Sequence, residues 1–583
     1  MTDTEFLTRM LFEFSYWHDM QDDAFKPRAY QLAAESIGAL GHEVKEAWRK
    51  GGIKELKELP AIGQAIAEKI DEYFRTGRIR SYDALKKKFP VDIYGLAHVQ
   101  GLGPKHIRDL YEQLGVKNLK DLEKVLRKQQ VRDLPGFGEK SEEKLARGIL
   151  LMKRSTGRHL LGHILPLAED IVTRLSRIPG VKQCVYAGSL RRRQETVGDI
   201  DLLATSSDPE RVMKAFVHLP EVETVHEHGK TRSSVRLSMG IDADLRVVPD
   251  KVFGATLQYF TGDKRHNILL RERAIRQGLL LNEYGLFKGK KLLTCASEEA
   301  IYKRLGLDTP PPELRVGHDE LSAAERHTLP DLLPYGSVKG DLQTQTNWSD
   351  GTSTIRDMAV AAKTYGLDYI AITDHTQSLA FINGLDEKRV AKQGKEIDTL
   401  NKQRGQSLAR ILKSAEVDIK PDGSLDLDDE TLASLDCVGI AIHSHFSMTE
   451  KEATKRIIRA MSNPHVDCLF HPTGRLIGKR EPYPLDMKAI LAGAKKYRVA
   501  LEINAFPDRT DLRDLHVRMA VDAGVPLFIN TDAHDPEHFT LLSLGEAIAR
   551  RGWATKRDII NTKSLNQLRA WLEKKRPRPN WTA

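Results

Sequence analysis

Cysteine is scarce in this chain, with four in 583 residues. Cys184, Cys295, Cys437 and Cys468 are scattered, and none belongs to a CxxC pair. That spacing excludes a disulfide framework and a cysteine zinc knuckle, and makes a reducing compartment the default. Long apolar runs are missing too, so no segment reaches the length that spans a bilayer. The opening residues, MTDTEFLTRM, have no basic start, no apolar core and no small-residue cleavage site. No secretion signal is expected there, and a cytoplasmic location is. Nor is there a large excess of one charge. A net +9 over this length permits a nucleic-acid partner without requiring one. What the chain does have is material for several cores.

Three stretches of the N-terminal third resemble one another: LKELPAIGQAIAEKI (56–70), LAHVQGLGPKHIRDL (96–110) and VRDLPGFGEKSEEKL (131–145). Each runs through an apolar residue and a glycine into a helix. A glycine-closed turn leaves backbone N–H groups free at the start of the next helix, where they can hold a phosphate without reading a base. The glycines are Gly63, Gly101, Gly103, Gly136 and Gly138. One copy would be ordinary architecture; three point to binding of the DNA backbone by helix-hairpin-helix units. Upstream, FKPRAYQLAAESIGAL (25–40) reads as an amphipathic helix with Lys26 and Arg28 near its start. It is either a solvated face or a basic lip beside Lys69, which is then a candidate amine nucleophile.

The middle of the chain carries the densest chemistry. In CVYAGSLRRRQETVGDIDLLATS (184–206), Asp199 and Asp201 stand two apart in an apolar run, hence on one face of a strand. GIDADLRVVP (240–249) offers Asp242 and Asp244 in the same relation. Asp244 is favoured as the third acid, with Asp242 nearer the strand start and solvent. Three carboxylates on neighbouring strands suit two hard cations such as Mg²⁺ or Mn²⁺, which activate a hydroxyl and steady a departing pyrophosphate. Gly188 and Ser189 open a helix able to receive a triphosphate; Arg192 and its neighbours add positive charge. Further on, YFTG supplies Tyr259, Phe260 and Gly262, a flat aromatic pair that packs a nucleotide sugar or serves as core. Asn267 and Arg271 follow, four apart on one helical face.

Residues 306–340, rich in Pro, Gly and acid, read as a linker with one short helix. Beyond them, short apolar strands (YIAITDH, VGIAIHSH, VDCLFHPTGR, VALEINA, VPLFINTDAH) alternate with helical runs, and each strand ends on a polar residue or a histidine. Polar residues gathered at strand C-termini are the mark of a βα barrel, of seven or eight strands.

The ordered set GS…RR…GDIDLL, DLRVV, YFTG and NEYG resembles the family X DNA polymerases, and the remainder resembles the PHP domain fused to them in bacteria. Together the two resemblances cover nearly the whole chain. They imply a multidomain fold: an all-α helix-hairpin-helix region, an α/β nucleotidyltransferase palm with small fingers, and a C-terminal PHP-type βα barrel. The boundaries implied are a lyase-like domain at 1–90, a thumb-like hairpin domain at 91–155, a palm at 156–250, a fingers-like domain at 251–308, a linker at 309–338 and the PHP domain at 339–583.

By that resemblance Asp199, Asp201 and Asp244 are the catalytic metal ligands, and Asp244 activates the primer 3′-hydroxyl. Ser189 and Arg192 hold the β- and γ-phosphates, with Gly188 and Gly198 close by. Tyr259 and Phe260 pack the incoming sugar, Gly262 lets the chain pass closely, Asn267 touches the base edge and Arg271 lies against the template. Arg246 stands beside the third aspartate. The frame LPAIGQAIAEK puts a Schiff-base lysine at Lys69, with Ala65 where a second basic residue would help. The PHP resemblance implies nine ligand positions for up to three metals, Zn²⁺ or Mn²⁺: Gln343, Gln345, Asp350, His375, Glu416, His443, His471, Asp532 and His534. Seven match; the usual HxH pair is QTQ. One site then keeps only Glu416 and Asp532, a second Glu416, His443 and His471, and a third Asp350, His375 and His534. Glutamine is the weaker ligand, so the scaffold persists with its hydrolytic site impaired. Gly474 and Arg475 bind a phosphate or cap a turn. His445, His465 and His516 read as ordinary.

The expectation is a monomeric DNA polymerase that fills short gaps during repair, with gapped or nicked duplex and deoxynucleoside triphosphates as partners. Two rivals remain: a 3′–5′ exonuclease or phosphoesterase using the PHP metals, and a non-enzymatic scaffold that binds DNA ends.

Overall fold

The computed structural model describes residues 3–575 apart from positions 24, 41, 42, 60, 98, 100, 101, 156 and 404. Gly101, a candidate phosphate-binding glycine, lies outside the described residues, as does Pro60. The chain divides into two compact units, Met1–Thr156 with the short segment Gly478–Arg480, and Gly157–Ile477 with Glu481–Ala583. No helix among the described residues is long and apolar enough to cross a membrane.

The first unit is helical. Its apolar residues recur three and four apart, as Leu7, Met10, Leu11 and Phe14 do in Asp3–Met20, and they meet in one core that runs to Ile149. The regions 1–90 and 91–155, expected as separate domains, share that core. Each repeated glycine stretch does open a helix. Gly63 precedes Gln64–Thr76, Gly103 precedes Pro104–Leu114, and Gly138 precedes Glu139–Ser155. A Cβ placed on Gly63, Gly103, Gly136 or Gly138 would meet nothing within 4 Å. Packing does not require these glycines, and only Gly136 (φ +83°) needs one for its backbone.

The second unit begins with a five-stranded sheet: β1 (Val181–Tyr186), β2 (Asp199–Ser206), β3 (Val222–His228), β4 (Arg232–Leu237) and β5 (Asp242–Val247). The spatial order is β1-β2-β5-β4-β3, antiparallel except for the central β2–β5 pair. Helices Leu161–Ser176 and Pro209–Val217 cover one face through Ile164, Ile171, Val212 and Phe216. Helices Phe253–Thr261 and Lys264–Arg276 follow, then a three-stranded hairpin sheet and helix Glu298–Arg304.

The segment expected as a linker is folded against this region. Arg315 is fully buried, ion-paired with Glu298 and lying over the Tyr302 ring at 5.2 Å. Glu320 takes the Gly317 and His318 amides and contacts His266 Nδ1 at 2.7 Å. Its proline content signals irregular backbone, which is compatible with either a loose tether or, as here, a packed one.

The C-terminal strands are β6 (Gly340–Thr344), β7 (Tyr369–Ile372), β8 (Arg410–Lys413), β9 (Glu416–Asp418), β10 (Gly439–Ala441), β11 (Cys468–Leu469), β12 (Ala500–Asn504) and β13 (Leu527–Asn530). All pairings are parallel and in chain order. A bridge between His375 and Glu416 continues the β7–β8 register into β9, and a parallel bridge between Thr344 and Ala533 joins the first strand to the last. Strands buried on both faces explain the unbroken apolar runs.

Candidate functional site

The β2–β5 register sets Asp201 opposite Asp244 and Asp199 opposite Asp242. One ligand oxygen from each of Asp199, Asp201 and Asp244 lies within 4.8 Å of the other two. Asp242 is turned to Arg236 Nε (2.9 Å) and His226 Nε2 (3.2 Å), which keeps it out of the cluster. Burial, then the charges of Asp199 and Asp244, push the Asp201 carboxyl up to about 7; burial, then Asp244 and more weakly Asp242, raise Asp199. Asp244 Oδ1 is buried with no hydrogen-bond partner among the described residues. An all-oxygen donor set with an unpartnered buried oxygen, crowded by its own charge, fits a divalent cation of the Mg²⁺ or Mn²⁺ kind.

Beside this cluster lies a cleft of about 570 Å³ lined by Gly188, Ser189, Arg192, Tyr259, Phe260, Gly262, Asn267 and Arg271. Gly188 has φ +57°, and a Cβ there would sit 2.2 Å from Asp201 Oδ2. The glycine is therefore required twice, by its backbone and by the carboxylate behind it. Gly188→Ala displaces one or the other. Because about 1 Å of misplacement costs on the order of 10²-fold, primer extension is expected to fall by roughly that factor with the fold retained. Steady-state extension rates and thermal unfolding check it.

Of the three consecutive arginines, only Arg192 serves the cleft. It donates to the Thr261 carbonyl, with its side chain 12 % exposed. Arg191 pairs with Glu298 (2.6 Å) and Arg193 donates to the Tyr186 hydroxyl (2.8 Å), so the expected extra charge from these neighbours is spent inside the protein. Arg246 lies over the Phe260 ring at 4.8 Å. Asn267 is held at both ends of its amide, accepting from Gln258 Nε2 (2.8 Å) and donating to the Tyr259 carbonyl (2.7 Å). It fixes the YFTG corner, and one amide N–H remains for a ligand. Gly198 is against Arg158, where a Cβ would come within 3.3 Å of the guanidinium.

Sequence reasoning missed Arg158, Gln194 and Lys264, which also line the cleft. Arg158 donates to Thr196 Oγ1 (2.9 Å) and O (2.6 Å). Gln194 Nε2 is buried without a partner among the described residues. Gln194 and Lys264 are marked only by lying just after RRR and YFTG, and nothing in the sequence marks Arg158.

A second cluster sits at the C-terminal ends of β6–β13. Glu416 Oε1 is 2.7 Å from His471 Nε2 and 3.1 Å from His443 Nε2, while its Oε2 is 3.4 Å from His375 Nδ1. Asp350 Oδ2 is 3.6 Å from His375 Nε2 and 3.5 Å from His534 Nε2. Two trios converge, Asp350–His375–His534 and His375–Glu416–His443. The expected trio of Glu416, His443 and His471 is also drawn together, both imidazoles meeting Glu416 Oε1, and His375 stands between the two groups. Both trios offer carboxylate oxygen and imidazole nitrogen and fit Zn²⁺ or Mn²⁺.

The remaining corner does not fit a cation. The Gln345 amide nitrogen donates to Glu416 (3.0 Å), and the Gln343 amide lies against Glu502, to which its nitrogen donates (3.0 Å) when the amide is turned to place nitrogen rather than oxygen on that side. Asp532 is taken by Arg509 Nε at 3.1 Å and by the Asn504 amide at 3.2 Å. Burial, then Asp532, push the Glu502 carboxyl well above its usual range. Donors and a guanidinium occupy the space where a metal needs lone pairs. Glu502, Asn504 and Arg509 were not singled out from the sequence, although all three lie in the quoted strand VALEINA or just after it.

A carboxylate triad across adjacent parallel strands, flanked by a glycine turn and an inward arginine, defines a metal-dependent nucleotidyltransferase. The family profile described as DNA polymerase beta thumb matches residues 256–316. A helix-hairpin-helix domain profile matches 4–79, and a SAM-like helix-hairpin-helix tandem matches 94–149. The label thumb thus falls on the stretch expected as fingers-like, and the stretch expected as thumb-like matches the hairpin tandem. The chain is 37 % identical over 557 residues, 95 % of its own length and 96 % of the relative's, to the DNA polymerase/3′-5′ exonuclease PolX of Bacillus subtilis. Shorter matches include a probable phosphatase of Citrobacter koseri, 31 % identical over 37 % of this chain and 83 % of the relative. Another is a probable phosphatase of a Thermoanaerobacter species, 27 % identical over 38 % and 89 %. The chain belongs to the bacterial family X DNA polymerases that carry a C-terminal PHP domain.

Proposed function

We propose that the chain is a template-directed DNA polymerase that fills short gaps in duplex DNA during repair. The convergence of Asp199, Asp201 and Asp244 beside the Gly188–Arg192 turn carries this reading. Divalent cations held by the three carboxylates lower the barrier to phosphoryl transfer by neutralising charge on the reacting oxygens. The chain's own residues do the rest. Ser189 and Arg192 receive the triphosphate, Tyr259 and Phe260 pack the sugar, and Arg271 faces the template. Asp244, with an unpartnered oxygen, is placed to take the proton of the primer 3′-hydroxyl. The bare glycines of the first unit, which no packing demands, suit a sugar–phosphate backbone lying against them. A scaffold that only binds DNA ends has no use for three crowded acids. Metal-dependent extension of a primer across a short gap tests the reading.

The C-terminal strands are read as a seven-stranded closed βα barrel in which β8 and β9 form one interrupted strand. With one corner closed by glutamines and Arg509, this module is a weakened hydrolase that keeps two cation sites.

Lys69 is proposed as a Schiff-base nucleophile toward 5′-deoxyribose phosphate ends. Its Nζ lies 5.7 Å from the Phe14 ring and 5.9 Å from the Tyr30 ring, a half-buried cradle. Borohydride is expected to trap the protein on such DNA, and Lys69→Ala to lose the adduct. An untrapped parent protein makes Lys69 a phosphate contact or a surface charge.

A further inference from the structure

Glu195 lies in the loop that follows Arg192 and Gln194, facing away from the triphosphate cleft. Two arginines of the C-terminal module close on it. Arg475 makes a fork with both carboxylate oxygens (2.7 and 3.2 Å). Arg551 Nη2 reaches Oε1 at 3.3 Å and another of its nitrogens donates to the Arg193 carbonyl. Both arginines are themselves fixed. Arg475 Nε donates to the Arg509 carbonyl (3.0 Å) and Nη2 to Thr510 Oγ1 (2.8 Å); Arg551 Nε donates to Asp514 (3.0 Å). The surrounding contact is close-packed. A Cβ on Gly162, at the start of the helix that accompanies the sheet, would come within 3 Å of Pro507 and Leu544. The Leu161 amide also donates to the Glu195 carbonyl (2.9 Å).

We infer that Glu195 is a positioning residue for nucleotide binding, through which the C-terminal module holds the triphosphate loop in place. The physical reason is the stiffness of a bidentate, buried guanidinium–carboxylate fork anchored on a second domain. On its own side the loop that carries Ser189, Arg192 and Gln194 is held by the Arg191–Glu298 fork (2.9 and 2.6 Å), with Arg192 on the Thr261 carbonyl and 3.8 Å from Asp263; the Glu195 fork is the matching hold from the C-terminal module. The Arg475 guanidinium is therefore neither a free phosphate site nor a mere turn cap. It is the far jaw of this clamp, and it also touches the backbone of the loop that carries Arg509 into the metal cluster.

This inference rests on the polymerase reading, and the test separates the two. Primer extension on a one-nucleotide gap is measured with Glu195→Gln, Arg475→Ala, Arg475→Lys and, as a control, Ser564→Ala. The last removes the N-cap of helix Leu565–Glu573 and lowers stability alone. Glu195→Gln and Arg475→Ala are expected to raise the KM for nucleotide about tenfold with kcat changed less than about threefold, the signature of lost ground-state positioning. Arg475→Lys, which keeps charge without the fork, lands between. Ser564→Ala leaves KM alone. DNA affinity is unchanged throughout. A parent protein that extends primers normally while Glu195→Gln keeps the parent KM overturns the clamp. A KM shift of equal size in Ser564→Ala overturns it as well, by showing a general loss of stability. A parent protein that extends nothing overturns the polymerase reading instead.

Discussion

Alanine at both Asp199 and Asp201 is expected to abolish gap filling while the protein stays folded. The two carboxylates supply most of the negative charge that holds a cation against the triphosphate, and one of them is already strained toward neutrality by burial and by its neighbours. Loss of metal-assisted charge stabilisation removes several kcal/mol from the transition state, so the rate falls by roughly 10³-fold or more. Folding moves the other way. Removing like charges from a crowded cluster relieves repulsion, so thermal unfolding in the absence of divalent cations is expected at an equal or higher temperature in the variant. Undiminished extension by the double variant on a gapped duplex would falsify the assignment of the triad.

The unaltered chain is expected to degrade 3′ ends little, if at all, even with Mn²⁺ present. The corner built from Gln343, Gln345, Glu416 and Asp532 presents amide N–H groups and the Arg509 guanidinium. Water must be acidified by a held cation to attack near neutral pH; on a well-bound Zn²⁺ its pKa drops to about 7, against about 9 for the aqueous ion. Gln343→His with Gln345→His restores imidazole donors, and is expected to raise the metal content of the protein and to recover part of the degradation. Recovery stays partial, because Arg509 still competes for Asp532. Metal analysis of the purified parent and variant gives the stoichiometry independently of activity. Robust 3′ degradation by the parent, lost in His443→Ala, would show that two cation sites suffice and that QTQ is harmless.

The acids were legible because a strand repeats every two residues: Asp199 with Asp201, and Asp242 with Asp244, must share faces whatever the surroundings. The choice of Asp244 over Asp242 rests on Arg236 and His226, which come from other strands. The RRR run shows the limit of composition. Successive residues on one turn of helix point about 100° apart, so one arginine reached the cleft while Arg191 and Arg193 met Glu298 and Tyr186. Glu195 and Arg475 are 280 residues apart, and no local pattern in either foretells the other. In the C-terminal module the histidines announced themselves, since each ends an apolar strand. The closing of one corner by Arg509 did not, because a single arginine in a loop after VALEINA has many uses. The prolines of residues 309–338 suggest a tether; Arg315 and Glu320, the residues that bury it, look like ordinary surface charge in a sequence.

Asp201 and Asp244 are direct cross-strand partners in a parallel pair whose outer edges are held by β1 and β4. Their separation is therefore set by the interstrand spacing of a sheet, about 4.8 Å, and not by any loop. The backbone acts as a ruler for the distance between the acids. A ruler of this kind is indifferent to what happens at its ends. The turn near Gly229 and the connection between helix Pro209–Val217 and β3 can lengthen without altering the spacing of the acids, since extra loop residues add only slowly to the cost of closure. Insertions there are free to build new surface around an unchanged reaction centre.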